Sequence, residues 1–179
     1  MGLVMEEVLI VDGYNVIGAA ARRASEPLGA AALEEARQAL VDALADYQAV
    51  TGRRVIVVFD AHRTAGPAVT TREHGVIVTY TAHGETADER IERLVGEWLS
   101  PQRRVYVATS DAVEQWVVFA RGALRLPARE LLHELAGVRR DVAARMETLS
   151  PPRTSLGDRM PEEIAERFEK WRRNGDSAS

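Results

Sequence analysis

Several residue types are scarce in this chain of 179 residues. It contains no cysteine, one lysine (Lys170) among 23 basic residues, and 6% aromatic residues. Without cysteine the chain has no disulfide framework, no thiolate zinc site and no cysteine nucleophile. The formal net charge is −4. This disfavours a protein that coats nucleic acid nonspecifically, because such proteins carry an excess of Lys and Arg.

Long hydrophobic runs and several common catalytic motifs are also missing. The first apolar run, 8–11, is far too short to span a bilayer, and no basic targeting region precedes it. We therefore expect a cytoplasmic protein without a membrane partner. The sequence contains no Walker A loop, no Gly-rich dinucleotide fingerprint and no Gly-x-Ser-x-Gly elbow.

Short apolar runs alternate with amphipathic segments along most of the chain. Runs rich in β-branched residues predict buried strands at 8–11, 54–59, 75–80 and 104–109, and an edge strand at 123–126. Helical spacing and stop signals predict helices at 28–50, 87–99, 110–119 and 127–149. A turn is predicted at Asp12 and Gly13, and a loop around Gly66 and Pro67.

This alternation predicts the fold class. Nearly continuous apolar strands separated by helices are typical of a parallel sheet covered on both faces. Right-handed crossovers make such a sheet a doubly wound α/β domain. We predict one domain over 1–150, with a mainly parallel sheet of four to five strands. A polar C-terminal tail with a short amphipathic helix is predicted over 151–179.

Acidic residues follow the predicted strands. Asp12 and Asp60 end the first and second strands, Asp111 follows the fourth, and Asp88 lies in the first turn of the helix after the third. A lone Asp in such a place is usually a turn residue or a helix cap. Ligands of doubly wound sheets bind beyond the carboxyl ends of the strands, so the four carboxylates are expected to converge. Hard cations such as Mg²⁺ or Mn²⁺ relieve the repulsion of clustered carboxylates, and we predict a metal site.

Other polar residues lie close in sequence to these acids. The amide of Asn15 is suited to orienting a carboxylate, a water or a phosphate oxygen, or to capping the next segment. Thr109 and Ser110 either donate to a phosphate or a ligating carboxylate, or cap a helix. The remaining candidates for contacts with a substrate phosphate are His62, Arg63 and Arg121. Thr86 and Glu89 predict a capping box at the start of the helix that carries Asp88.

Four ordered blocks resemble the signature blocks of the YacP-like NYN domain proteins, which belong to the PIN-like nuclease superfamily. The blocks are DGYNVIG at 12–18, FDAH at 59–62, ETADERIE at 85–92 and ATSD at 108–111. The resemblance extends through 122–132 and includes FEKWRR at 168–173, so it covers nearly the whole chain. It implies a PIN-like fold and a divalent-metal-dependent endoribonuclease. One branch of the family cuts mRNA in the decoding site of the ribosome, so RNA and the ribosome are the implied partners.

The resemblance also implies roles for individual residues. Asp12 and Asp111 are expected to bind the metal directly, and Asp88 directly or through water. Asp60 is expected to hold a ligand water or orient the nucleophile, and Asn15 to be a polar partner in the catalytic centre. The expected chemistry is hydrolysis that leaves a 5′-phosphate and a 3′-hydroxyl. One departure from the family is the loop at 63–73, which is short and carries few basic residues.

Three other functions compete with this one. A haloacid dehalogenase-type phosphatase needs a second Asp two residues after the first, where this chain has Tyr14. A phosphoacceptor receiver domain needs a lysine after its last strand, and Lys170 lies in the tail. A non-catalytic RNA- or ribosome-binding module with a PIN-like fold stays open, although retention of all four acids disfavours it.

Overall fold

The strands form one six-stranded sheet. The computed structural model describes residues 5–24, 29–61, 66–112, 117, 119 and 121–149. The strands are β1 (Glu6–Asp12), β2 (Arg54–Phe59), β3 (Val69–Glu73), β4 (Val76–Tyr80), β5 (Arg103–Thr109) and β6 (Leu124–Pro127). Their order across the sheet is β3-β4-β2-β1-β5-β6. All neighbours are parallel except β3 and β4, which are antiparallel.

Helices cover both faces of this sheet. Those within the described residues are α1 (Gly13–Ala24), α2 (Ala30–Thr51), α3 (Ala87–Trp98) and α4 (Ala128–Leu149). Residues of α1, α2 and α4 pack on one face, and residues of α3 pack on the other. The predicted end of α2 is confirmed: Gly52 adopts a left-handed φ of 73° and its N–H bonds to the carbonyl of Gln48.

The core divides between the two faces because successive strand residues point in opposite directions. In β1, Leu9 and Val11 pack towards α1, α2 and α4, whereas Val8 and Ile10 pack towards α3. All four are fully buried. A strand buried on both faces has to be apolar throughout, which is why a continuous apolar run identified β1 correctly.

The predicted α/β fold class is confirmed, with one more strand than the four to five predicted. The extra strand is β3, which the sequence analysis assigned to a loop. Its first four residues are exposed and show no apolar alternation, so its pairing with β4 leaves no hydrophobic signal in the sequence. The predicted turn at Gly13 is wrong, because α1 begins there directly after β1.

The amino edge of the sheet carries a network of ion pairs. Glu6 accepts hydrogen bonds from Arg54 at 2.9 Å and Arg103 at 2.7 Å, and Glu7 accepts one from Arg53 at 2.7 Å. The hydrogen bond from Arg103 holds the pKa of Glu6 below its usual range, and the one from Arg53 does the same for the pKa of Glu7. At this edge, therefore, both Glu6 and Glu7 have guanidinium partners.

Residues up to Val142 form the compact unit that contains the sheet, and a second unit extends from Ala143 to Ser179. The described part of the second unit is the end of α4. The predicted tail at 151–179, half of the predicted helix at 110–119, and the boundary after residue 150 lie outside the described residues. Within the described part of the chain, no helix is both long and apolar enough to cross a membrane.

Candidate active site

Four aspartates lie at the carboxyl edge of the sheet. Asp12 is the last residue of β1, Asp60 follows β2, and Asp111 lies two residues after β5. Because β2, β1 and β5 are neighbouring parallel strands, their carboxyl ends meet at the same edge. Asp88 reaches this edge from the first turn of α3. The convergence that the sequence predicted is therefore present in the structure.

Asp12 is the most buried of these acids, with 7% of its surface exposed. Burial raises its pKa to about 6, and repulsion from Asp88, Asp111 and Asp60 acts in the same direction. One hydrogen bond opposes the rise, since the backbone N–H of Asn15 donates to Asp12 Oδ1 at 3.2 Å. For ionised Asp12, burial and the neighbouring carboxylates therefore outweigh the hydrogen bond from Asn15.

Asp88 occupies a well-defined position on α3. The predicted capping box is confirmed: Glu89 N–H donates to Thr86 Oγ1 at 3.2 Å, and Thr86 N–H donates to Glu89 Oε2 at 3.0 Å. The Asp88 side chain stays exposed to solvent. Partial loss of hydration raises its pKa, as does repulsion from Asp111 and Asp60. Asp88 thus belongs electrostatically to the same acidic group as Asp12.

Asn15 connects α1 to the loop that carries Asp111. Its Oδ1 accepts a hydrogen bond from the Ser110 N–H at 2.8 Å and another from the Ser110 hydroxyl. Arg22 of α1 donates to the same hydroxyl at 3.5 Å. In this structure the Asn15 amide therefore orients the loop that leads into Asp111, a role that the sequence did not predict.

Two threonine hydroxyls form hydrogen bonds with the acidic residues next to them: Thr109 with Asp111, and Thr81 with Asp60. Thr109 is fully buried, and its Oγ1 accepts a hydrogen bond from the Asp111 N–H at 3.1 Å. Thr81 donates to Asp60 Oδ1 at 3.3 Å and accepts from the Ala61 N–H at 3.0 Å. Burial of Thr109 gives it a positioning role here and leaves no surface for direct contact with a substrate.

Sequence reasoning missed Thr81, although a signal existed. Thr81 directly follows β4, just as Asp60 directly follows β2, and β2 pairs with β4 in parallel. The rule that selected the acids at strand ends selects this hydroxyl as well. The hydrogen bond between Thr81 and Asp60 cannot be predicted from local sequence, because it depends on the pairing of β2 with β4.

The remaining predicted substrate contacts lie elsewhere or outside the described residues. Arg121 is half exposed and forms an ion pair with Glu92 of α3 at 3.4 Å, at the rim of a polar cleft of about 610 Å³. His62 and Arg63 are outside the described residues. Arg121 therefore lies on the α3 side of the edge, with an acidic partner already in place.

Glu85 is separate from the four aspartates. Burial raises its pKa, but the Ala82 N–H and the Arg90 guanidinium outweigh that effect and hold the pKa below its usual range. Glu85 forms ion pairs with Arg90 at 2.6 Å and with Arg93 at 3.2 Å. Two arginines thus compensate this buried carboxylate, in contrast to Asp12.

The donor set at the carboxyl edge fits a hard divalent cation. Carboxylate oxygens are the ligands that Mg²⁺ and Mn²⁺ prefer, and loss of hydration together with repulsion from the other acids raises the pKa of Asp12 and of Asp88. Among the described residues, no group of three or more acidic or histidine side chains is arranged so that it could hold a metal ion by itself. Magnesium commonly uses one or two carboxylates together with waters and substrate phosphates, so an open arrangement is compatible with it.

Comparisons with known proteins cover almost the whole chain. The family model described as YacP-like NYN domain matches residues 9–173. The uncharacterized protein YacP of Bacillus subtilis strain 168 is 44% identical over 167 residues, which are 93% of this chain and 97% of that protein. A crystal structure of Rae1 (YacP) from B. subtilis has 43% identity and a TM-score of 0.70, covering 96% of this chain and 98% of its own. A crystal structure of a mutant of Rae1 from B. subtilis has 43% identity and a TM-score of 0.69, covering 98% of this chain and 100% of its own.

Proposed function

Because the chain belongs to the YacP-like NYN domain family, we propose that it is a divalent-metal-dependent endoribonuclease that hydrolyses RNA phosphodiester bonds. Family membership supports a PIN-like, nuclease-type function related to RNA. The single observation that carries the catalytic proposal is the convergence of Asp12, Asp60, Asp88 and Asp111 at one sheet edge, where their repulsion calls for a cation. We propose mRNA in a ribosome-associated context as the substrate.

The acids would divide the work as follows. Asp12 and Asp111 hold Mg²⁺ or Mn²⁺ directly, and Asp88 holds it directly or through water. A bound divalent cation supplies a Lewis acid that makes water a stronger acid and stabilises charge on the phosphate oxygens. Asp60, fixed by the Thr81 hydroxyl, orients the attacking water. The products carry a 5′-phosphate and a 3′-hydroxyl.

The surrounding polar groups keep these carboxylates in place. Asn15 and Thr109 fix the backbone that leads into Asp111. Precise placement matters because catalysis falls steeply when reacting groups shift by an ångström. The proposal therefore assigns positioning roles to Asn15, Thr81 and Thr109, and contacts with the metal or water to the aspartates.

Cleavage of RNA by the purified protein tests the proposal. We expect cleavage in Mg²⁺ or Mn²⁺, none in chelator, and a loss of at least 100-fold in Asp12→Asn and Asp111→Asn. Asp46→Asn is the matched control, since it makes the same chemical change on an exposed position of α2. Equal cleavage by the wild type and both active-site variants would show that the site is assigned wrongly.

Parallel reactions with and without ribosomes test the proposed context. A ribosome requirement predicts that the same RNA is cut only when it is being translated or is bound in a ribosome. Ribosome binding without cleavage in either metal would favour the non-catalytic binding module instead. Product ends are identified by whether a phosphatase changes the mobility of the 5′ or the 3′ fragment.

A further inference from the structure

Three aromatic side chains and one arginine lie side by side on the α2 face of the carboxyl edge. The ring centroids of Tyr14 and Phe59 are 5.1 Å apart, and those of Phe59 and Tyr80 are 5.8 Å apart. The Arg37 guanidinium lies over the Tyr80 ring at 5.3 Å and over the Phe59 ring at 5.9 Å. We call Tyr14, Phe59, Tyr80 and Arg37 the aromatic row.

The aromatic row lies at the same carboxyl end of β1, β2 and β4 as Asp12 and Asp60. Phe59 directly precedes Asp60, and Tyr80 directly precedes Thr81, which bonds to Asp60. Tyr14 lies two residues after Asp12. The residue after Asp12 packs directly against the Phe59 ring, because a Cβ added to Gly13 would lie 2.3 Å from that ring. The same sheet edge therefore presents acids and aromatic rings side by side.

Burial differs along the aromatic row. Phe59 is fully buried and belongs to the core, whereas Tyr14 and Tyr80 are only partly buried. The Arg37 side chain is 26% exposed. Its guanidinium forms an ion pair with Glu34 and a hydrogen bond to the Tyr14 hydroxyl. Closing the core requires Phe59 but does not require two tyrosines and a guanidinium plane at the rim.

We propose that the aromatic row binds a base of single-stranded RNA next to the phosphate that lies at the four aspartates. This inference rests on the proposed function and names how that site holds its substrate. Exposed bases stack on aromatic rings and on arginine guanidinium planes, and they do so without dependence on base sequence. Tyr80 and Arg37 offer both kinds of surface within one contact.

Electrostatics make such a stacking site useful in this protein. The chain has a net charge of −4, and the acidic edge repels phosphates unless cations are bound there. Contacts with phosphates lose affinity as salt rises, because they depend on counterion release. Stacking does not release counterions. It therefore supplies affinity that the charge of this chain does not.

Binding of two oligonucleotides of equal charge tests the inference. In the Asp60→Asn background, which keeps the three proposed metal ligands, and with Mg²⁺ present, we compare a short oligouridine with the same ribose-phosphate oligomer lacking one central base. We expect Tyr80→Leu to weaken oligouridine binding about tenfold. The same change should leave abasic binding and the salt dependence unaltered. Tyr80→Phe keeps the ring and should bind within about twofold of its parent.

Two further measurements keep the outcome clear. Thermal unfolding establishes that each variant is folded, and Tyr14→Leu replaces Tyr80→Leu if the latter is not. Equal losses for both oligomers, no loss in either leucine variant, or no binding of oligouridine would overturn the inference. Failure of the proposed function appears separately, as absence of cleavage by the wild-type protein in either metal despite base-dependent binding.

Discussion

The side-chain oxygen of Asn15 accepts two hydrogen bonds from Ser110, one from its backbone N–H and one from its hydroxyl. The two residues are 95 positions apart, and the contact joins the start of α1 to the loop after β5. Asp12 and Asp111 flank this contact in sequence. The amide of Asn15 therefore adds a side-chain link between the segments that carry the two acids, beside the pairing of β1 with β5.

Replacing Asn15 tests the strength of this connection. Asn15→Ala removes the acceptor of both hydrogen bonds from Ser110, and we expect the free energy of unfolding to fall by about 1 kcal/mol, because Ser110 is exposed and water can replace the acceptor. Ser110→Ala removes the hydroxyl and keeps the backbone bond, so a smaller loss is expected. Urea unfolding at neutral pH measures both. Similar losses in the two variants would mean that the backbone bond contributes little.

The buried carboxylate of Asp12 predicts an unusual pH dependence. Its pKa in the folded protein, about 6, lies above the ordinary value of 3.8. The folded state therefore binds more protons than the unfolded state between these values, and the free energy of unfolding falls as pH rises through that range. In chelator at pH 7, Asp12→Asn should be more stable than the wild type by at most about 3 kcal/mol. The advantage should vanish below pH 4.

The control for this experiment is Asp46→Asn, whose carboxylate is exposed on α2. It loses the same charge without relieving burial, so its stability should track that of the wild type across the pH range. An Asp12→Asn curve parallel to the wild-type curve from pH 4 to 7 would contradict the assigned burial effect.

Metal binding should reverse the order of stabilities. A cation that binds only the folded protein stabilises it by about 2.7 kcal/mol at a free concentration 100 times its dissociation constant. Mg²⁺ or Mn²⁺ should raise the melting temperature of the wild type, with little effect on Asp12→Asn or Asp111→Asn. The increase should diminish as pH falls below 6, because protonation of Asp12 competes with the metal. An equal increase in all three proteins would place the metal elsewhere.

Two glycines of α1 offer a matched pair. A Cβ at Gly13 would lie 2.3 Å from the fully buried Phe59 ring, so Gly13→Ala should lower the free energy of unfolding by about 1–3 kcal/mol. At Gly18 the nearest atom is the end of the Arg22 side chain, 3.4 Å away. Gly18→Ala should be neutral or stabilising by up to about 1 kcal/mol. Thermal and urea unfolding distinguish the two.

The strands and their terminal acids could be predicted because burial on both faces demands a continuous apolar run. Asp12 and Asp60 each interrupt such a run at a strand end. Helix α3 was predictable from Thr86 and Glu89, whose capping pattern is local. Each of these signals lies within a few residues of sequence.

Features that depend on tertiary contacts were not predictable in the same way. Helix α1 begins at a glycine with no acidic residue in its first turn, and β3 has an exposed, polar sequence. Thr81 and the aromatic row join residues from different strands and helices, so only the register of the sheet brings them together. Whether the aspartates bind metal stays a prediction.

Strand β1 carries acids at both ends, and their surroundings differ. Glu6 and Glu7 at the amino end are paired with arginines, whereas at the carboxyl end burial and three neighbouring aspartates raise the pKa of Asp12. The two ends of β1 thus differ in their electrostatic surroundings, because arginines lie beside the acids at its amino end. A diffusing cation would experience attraction towards the carboxyl edge before it meets any ligand. Ions would therefore be directed to the carboxyl end of the sheet, where the four aspartates lie, and not to the amino end, where Glu6 and Glu7 pair with arginines.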